Sequence, residues 1–393
     1  MAWYEWNQTD LPCQFPLERA QENRAYLERL LDLGSGSRAG AAPGNTLPST
    51  WNTTGAIAFL EMNWLAEDLR LVEGKPGLKP LLRDLCDERL YLPTWHALHT
   101  AALFERARPK AVIEFVVSDG DEAPDFVADI AGDRVPVEAK LLTCSEDESR
   151  FVLVARRITQ ALTDERHATP PQTAVYVILK QAVASDVSEE AITFCREAIG
   201  RYANTAVCER GTLCNVFLEP AEMLPGLGDY RVVYIMAPVP DSEDLRVLDR
   251  AKKASNQLRA LPSALDSGIL SVGLTDNQDG AAVFGHLSER IKRGRFGGIS
   301  GVLLLKRRTH VAPPQRATFD LLEFRRNSNA DRPLRDRVPL RPLGAAALLT
   351  QSEPHLSGIK AYRLGTATGR VTDPARARLH LPDVRVLTAD LIK

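Results

Sequence analysis

PDFVADIAGDRVPVEAKL (residues 124–141) reads as a β-hairpin, and its register decides what each side chain can do. Gly132 can take the positive φ that a two-residue type II′ turn requires at its first central position. With Gly132-Asp133 as that turn, Phe126 lies opposite Ala139, Ala128 opposite Val137, and Ile130 opposite Val135. All of these are apolar, and directly opposed residues share a face of the sheet. One face of the hairpin is therefore a core face. The other carries Asp125, Val127 and Asp129 on one strand, and Arg134, Pro136, Glu138 and Lys140 on its partner. This register sets Asp125 opposite Lys140, with Glu138 as its diagonal neighbour. A slip of one residue would turn the apolar set outward, so the pairing is well specified.

The trio Asp125, Glu138 and Lys140 has a chemical meaning. Hard divalent cations such as Mg²⁺ or Mn²⁺ favour carboxylate oxygens, and Mg²⁺ keeps several of its waters. Two adjacent carboxylates can hold such an ion, which polarises a phosphate and makes hydroxide available near neutral pH. A lysine beside them can orient the water or stabilise charge that develops on the phosphate. The competing reading of the same residues is a solvated, salt-bridged polar face with no further role.

Outward from the hairpin, helix and strand patterns alternate. Residues 94–107 read as a helix that begins at Thr94, just after Pro93. Strands are expected at 111–117, 125–130 and 134–141, then a helix at 149–165 and a strand at 173–180. Downstream, helices near 188–203, 242–260 and 280–292 alternate with strands near 212–218, 231–237, 268–274, 300–306 and 318–325. The N-terminal part reads as helical, at 17–33 and near 54–72 and 78–90. Its connector, residues 34–50, is rich in Gly, Ser and Pro but lacks the ending of a phosphate-binding loop. The pattern is α/β. It predicts a helical region (1–91), a core (92–182), an α/β extension that can continue the core sheet (183–326) and an irregular Arg/Pro-rich segment (327–393).

Pro124-Asp125, then twelve residues, then Glu138-Ala139-Lys140 resembles the signature of the PD-(D/E)XK, or restriction-endonuclease-like, nuclease superfamily. The resemblance spans about a quarter of the chain. It implies a core of helix, three-stranded meander, helix and strand over residues 94–180. It also implies a Mg²⁺- or Mn²⁺-dependent nuclease that hydrolyses phosphodiester bonds, with DNA as partner and phage defence or DNA repair as the setting. Asp125 and Glu138 would hold metal, and Lys140 would complete the catalytic set. Many members add a glutamate from the preceding helix, for which Glu105 is the candidate and Glu114 its competitor. Many also place a glutamine or lysine on the helix after the motif. Gln160 fits there, with Arg156 and Arg157 nearby. The stretch AKKASNQLRAL (251–261) is similar to a late helix of some large members, so Lys252, Lys253, Gln257 and Arg259 are candidates for nucleic-acid contact. A non-catalytic binding or assembly subunit on the same fold is the alternative, and the complete Asp-Glu-Lys set argues against it.

Composition narrows the partners. The net charge of −2 is not that of a protein that coats DNA, so any nucleic-acid contact must come from local patches. Arg290, Lys292, Arg293, Arg295, Lys306, Arg307 and Arg308 make one such cluster. Arg325, Arg326, Arg332, Arg335, Arg337 and Arg341 make another. No apolar run is long enough to span a membrane. The N-terminus lacks a secretory pattern, and the six cysteines are scattered without CxxC spacing, so a cytoplasmic protein with reduced thiols is expected. His96 and His99 lie three apart, but no nearby Cys or His completes a metal set. The turn that carries Asp119, Asp121 and Glu122 reads as solvated. Many nucleases of this class cut as dimers, so a second copy or a protein partner is compatible with the sequence.

Overall fold

The computed structural model describes residues 15–31, 47, 51, 56–87, 89–107, 112–116, 123–130, 132–142, 145–163, 173–180, 188–202, 207–220, 231–240, 242–262, 265, 268–274, 278–309, 317–335 and 361–368. Among them, helices and strands form a mixed α/β protein with two sheets. The connector from 34 to 46, the acidic turn at 117–122, and Arg337 and Arg341 lie outside the described residues. The chain divides into two units. The first joins residues 1–143 with 244–355, and the second joins 144–243 with 356–393.

In the first unit the elements are α1 (Leu17–Leu31), α2 (Ala56–Val72), α3 (Leu78–Asp84), α4 (Tyr91–Ala107), β1 (Val112–Phe115), β2 (Phe126–Ile130) and β3 (Asp133–Leu141). They continue with α7 (Ser242–Ala260), β8 (Gly268–Leu274), α8 (Gly280–Lys292), β9 (Ile299–Thr309) and β10 (Ala317–Arg326). The sheet order is β1-β2-β3-β8-β9-β10. β1, β2 and β3 form the expected antiparallel meander, and β3, β8 and β9 run parallel. Every residue of β8, GILSVGL, is buried, as a central parallel strand covered on both faces must be.

The hairpin's predicted apolar face is the core face. Phe126, Ala128, Ile130, Val135 and Val137 share one cluster with Leu27, Leu65, Trp95 and Leu98 from α1, α2 and α4. Phe126 lies at its centre, 5.7 Å from the Phe104 ring and 6.0 Å from Phe115. Truncating such a ring costs about 3–5 kcal/mol. α1 packs on α2, α2 on α4 and α4 on β3, and their apolar residues join those of the sheet in one cluster. α7 and α8 cover the opposite face through Val247, Ala251, Ala254, Val283 and Leu287, packed on Leu270, Val272, Leu274 and Leu304.

In the second unit, α5 (Glu146–Thr163), β4 (Thr173–Leu179), α6 (Ser188–Tyr202), β5 (Val207–Arg210), β6 (Cys214–Pro220), β7 (Arg231–Pro238) and β11 (Ala361–Thr368) build a sheet of order β11-β7-β4-β6-β5. α5 and α6 cover it through Phe151, Ile158, Ala191 and Cys195, packed on Val175, Val177, Val216 and Val233. Two expectations are corrected here. The strand at 173–180 was expected beside the meander, yet it pairs with β6 and β7, and the parallel neighbour of β3 is β8. The last segment is not wholly irregular, because β11 pairs antiparallel with β7. No helix among the described residues is long and apolar enough to cross a membrane.

Candidate active site

The hairpin keeps its predicted faces and changes its register. Phe126 pairs with Val137, Ala128 with Val135, and Ile130 with Asp133. Gly132 lies at φ +85°, so it supplies positive φ at the second central position of the turn rather than the first. Its N–H donates to Asp129 Oδ1 at 2.9 Å. Asp133 is not a turn residue. It starts β3, is buried, and accepts from Arg335 at 2.9 Å. The shift is two residues, and side chains alternate with period two, so every residue stays on its expected face. Extending the pairing by one step sets Asp125 opposite Glu138 instead of Lys140. The Ala139 N–H donates to Asp125 Oδ2 at 2.7 Å.

The trio is therefore assembled, with its carboxylates closer than expected. Glu138 is fully buried, and its Oε1 contacts the Lys140 ammonium. Burial pushes the Glu138 carboxyl up to about 7, and the Asp125 charge pushes the same way, against Lys140. Burial also raises the Asp125 carboxyl, against the pull of Lys140 and the Ala139 N–H. At Lys140, burial favours the neutral amine, but Glu138 and Asp125 outweigh it and hold the ammonium above its ordinary range. Buried Glu138 and half-buried Asp125 thus lie side by side, with Lys140 in contact with Glu138.

Glu105 is held by Lys75 at 3.0 Å, and Glu114 pairs with Arg134 at 3.2 Å. Among the described residues no group of three or more His, Cys, Asp or Glu side chains is arranged to hold a metal. Any ion here would rest on Asp125 and Glu138, with water completing its shell. Arg156, Arg157 and Gln160 lie on α5, in the second unit rather than on the sheet that carries the trio. Arg156 and Gln160 are exposed, and Arg157 donates to Glu189 at 2.5 Å. Lys253 is exposed and Gln257 half-buried on α7.

One functional candidate was missed. Arg250 on α7 lies near enough to Lys140 for its charge to oppose that ammonium. The available signal was its helical spacing from Arg246, Lys253 and Gln257.

Much of the late basic cluster has internal work. Arg332 donates to the carbonyls of Leu261, Pro262 and Leu265, and Arg326 donates to those of Leu334 and Arg335. Arg335 holds Asp133, and the buried Lys306 donates to the Gln278 carbonyl at 2.7 Å. The two histidines are structural as well. His99 Nδ1 lies 2.8 Å from Asp68 Oδ2, and the buried His96 lies against Ser271 of β8. Compared with known proteins, the chain matches no family model, no curated protein and no solved structure.

Proposed function

We propose that this protein is a nuclease of the PD-(D/E)XK type that hydrolyses phosphodiester bonds in DNA with Mg²⁺ or Mn²⁺. The observation that carries the reading is the pair of adjacent carboxylates, buried Glu138 and half-buried Asp125. Both are weakened as acids, and Lys140 is the cation in contact with Glu138. Such a pair fits a hard divalent cation, and Mg²⁺ needs only one or two protein carboxylates because it keeps several waters. When bound, the ion polarises the phosphate and lowers the pKa of a coordinated water.

The residues of the chain divide the remaining work. Lys140 is held as an ammonium by its acidic neighbours, so it acts as a cation and hydrogen-bond donor and not as a base. It orients the attacking water and stabilises charge that develops on the phosphate. Asp125 is fixed by the Ala139 N–H, which aims its second oxygen without a change of rotamer. The fold supports the same reading. With the second unit set aside, the chain order is α4, β1, β2, β3, α7, β8, which is again helix, three-stranded meander, helix and strand.

Cleavage of plasmid, linear single- and double-stranded DNA, and RNA in Mg²⁺ and Mn²⁺ tests the proposal. Wild type should cut DNA. Lys140→Ala should cut about 10²–10³-fold more slowly, the loss expected for one preorganised charge-stabilising donor. If wild type and Lys140→Ala leave every substrate equally intact, the nuclease reading fails. If wild type then still binds nucleic acid, the non-catalytic binding subunit replaces it.

A further inference from the structure

The two flanks of α7 differ in chemistry. Val247, Ala251, Ala254 and Leu258 form its buried stripe at helical spacing. On one flank, Ser255 Oγ accepts the Gly298 N–H at 3.1 Å and Arg259 holds Asp331 at 2.8 Å. That flank faces the start of β9. Because β8 lies between β3 and β9, the other flank faces β3. It carries Arg246, Arg250, Lys253 and Gln257, spaced by four, three and four residues as neighbours on one helical face are. The four α7 residues singled out from sequence are thus separated. Lys253 and Gln257 lie on the side of the trio, and Lys252 and Arg259 on the side of β9.

Arg250 links this flank to the site: it is half-buried beside Ala251, whose cluster includes Leu270 and Val272, the β8 residues that pair with Glu138 and Lys140. The two carboxylates balance Lys140 and Arg250. A divalent cation held by Asp125 and Glu138 would leave the cluster positive, the sign that attracts a phosphodiester. From Arg250 to Gln257 the helix rises roughly 10 Å. At about 3.4 Å of axial rise per nucleotide of one strand, that is room for about three nucleotides.

We propose that the Arg250–Lys253 flank of α7 is the track on which the substrate's phosphodiester backbone lies, with Arg250 gripping the phosphate beside the one that is cut. This rests on the nuclease reading and adds to it where the nucleic acid binds. Arg250 contacts the backbone next to Lys140, and exposed Lys253 contacts it one turn further along α7. Such contacts give position and not sequence, so the track binds without base preference.

Fluorescence anisotropy of labelled duplex DNA, single-stranded DNA and RNA in EDTA, across a salt series, tests the track without cleavage. The double variant Arg250→Gln/Lys253→Gln should bind duplex DNA about tenfold or more weakly. Its salt slope should fall by about two units, close to one per lost phosphate contact. Lys252→Gln, which removes the same charge from the other flank, should bind as wild type does. Lys253→Gln alone alters only an exposed side chain and should show about half of the change in slope. It therefore reads out the track even if the double variant does not fold. The track is overturned if the Lys253 variants bind as wild type does, or if Lys252→Gln loses as much. Cleavage by the same preparations separates the two ideas. A wild type that cuts while the track variants bind normally removes the track and keeps the nuclease. A wild type that neither binds nor cuts removes both.

Discussion

Asp68 and Glu138 are buried carboxylates in the same unit, each 0% exposed, and they behave in opposite ways. Asp68 has a partner at each oxygen, with Arg106 at 2.6 Å and His99 Nδ1 at 2.8 Å. Burial would raise its carboxyl, but His99 and Arg106 outweigh burial and hold it below the ordinary range. Glu138 has Lys140 as its one cationic partner among the described residues and a second acid, Asp125, beside it, and its carboxyl rises to about 7. Burial is equal, so the supply of partners makes the difference. Asp68 completes a structural knot between α2 and α4. Glu138 belongs to a cluster that a cation would complete.

Four experiments break or sharpen that contrast. The largest effect is on activity. Glu138→Gln should lower cleavage by about 10²–10³-fold or more, whereas folded Asp68→Asn should cut near the wild-type rate. Next is stability. Asp68→Asn leaves the half-buried Arg106 without its counter-charge and buried His99 without its carboxylate, and should lose about 3–5 kcal/mol in urea unfolding. Glu138→Gln in EDTA should instead gain about 1 kcal/mol, because it removes a charge that burial and Asp125 both oppose. A loss there as large as that of Asp68→Asn would mark Glu138 as structural.

The third effect is metal linkage. Mg²⁺ at about a hundred times its dissociation constant should stabilise wild type by about 2.7 kcal/mol. Asp68→Asn should keep this shift, and Glu138→Gln should lose most of it in calorimetric melts. The smallest effect is on pH dependence in EDTA. The Glu138 carboxyl is raised from 4.5 to about 7, so the folded state holds its proton more tightly than the unfolded chain. Its contribution therefore favours folding at low pH and declines as pH rises from about 4.5 to about 7. His96, lowered from 6.5 to about 4, slopes the other way, losing stability as pH falls through that window. Both proteins carry His96, so wild type minus Glu138→Gln isolates the carboxylate. A flat difference between pH 4.5 and 7 would contradict its raised affinity for the proton.

The same contrast explains what was legible in the sequence. The face of each hairpin residue followed from alternation, because a core face tolerates no one-residue slip. The register itself did not follow, since a slip of two residues preserves every face. What decides it is Asp129 capping the Gly132 N–H and Asp133 bonding Arg335, a contact across some two hundred residues. The neighbour of β3 was hidden for a related reason. TAVYVILK and GILSVGL are both continuous apolar runs, and either suits a buried parallel strand. Only the three-dimensional division of the chain assigns the first to the second unit and the second to β3. Periodicity placed most helices closely. It singled out Glu138, whose partners Asp125 and Lys140 lie in the same hairpin, but not Asp68, whose partners His99 and Arg106 come from another helix.

The central claim is that Asp125 and Glu138 together hold a divalent cation. Anomalous diffraction from a Mn²⁺-soaked crystal at neutral pH tests it most directly. We predict a peak between the two carboxylates, at about 2.0–2.3 Å from an oxygen of each, with Lys140 displaced from Glu138. Full Mn²⁺ exposure with no peak there, and Lys140 still seated on Glu138, would contradict it.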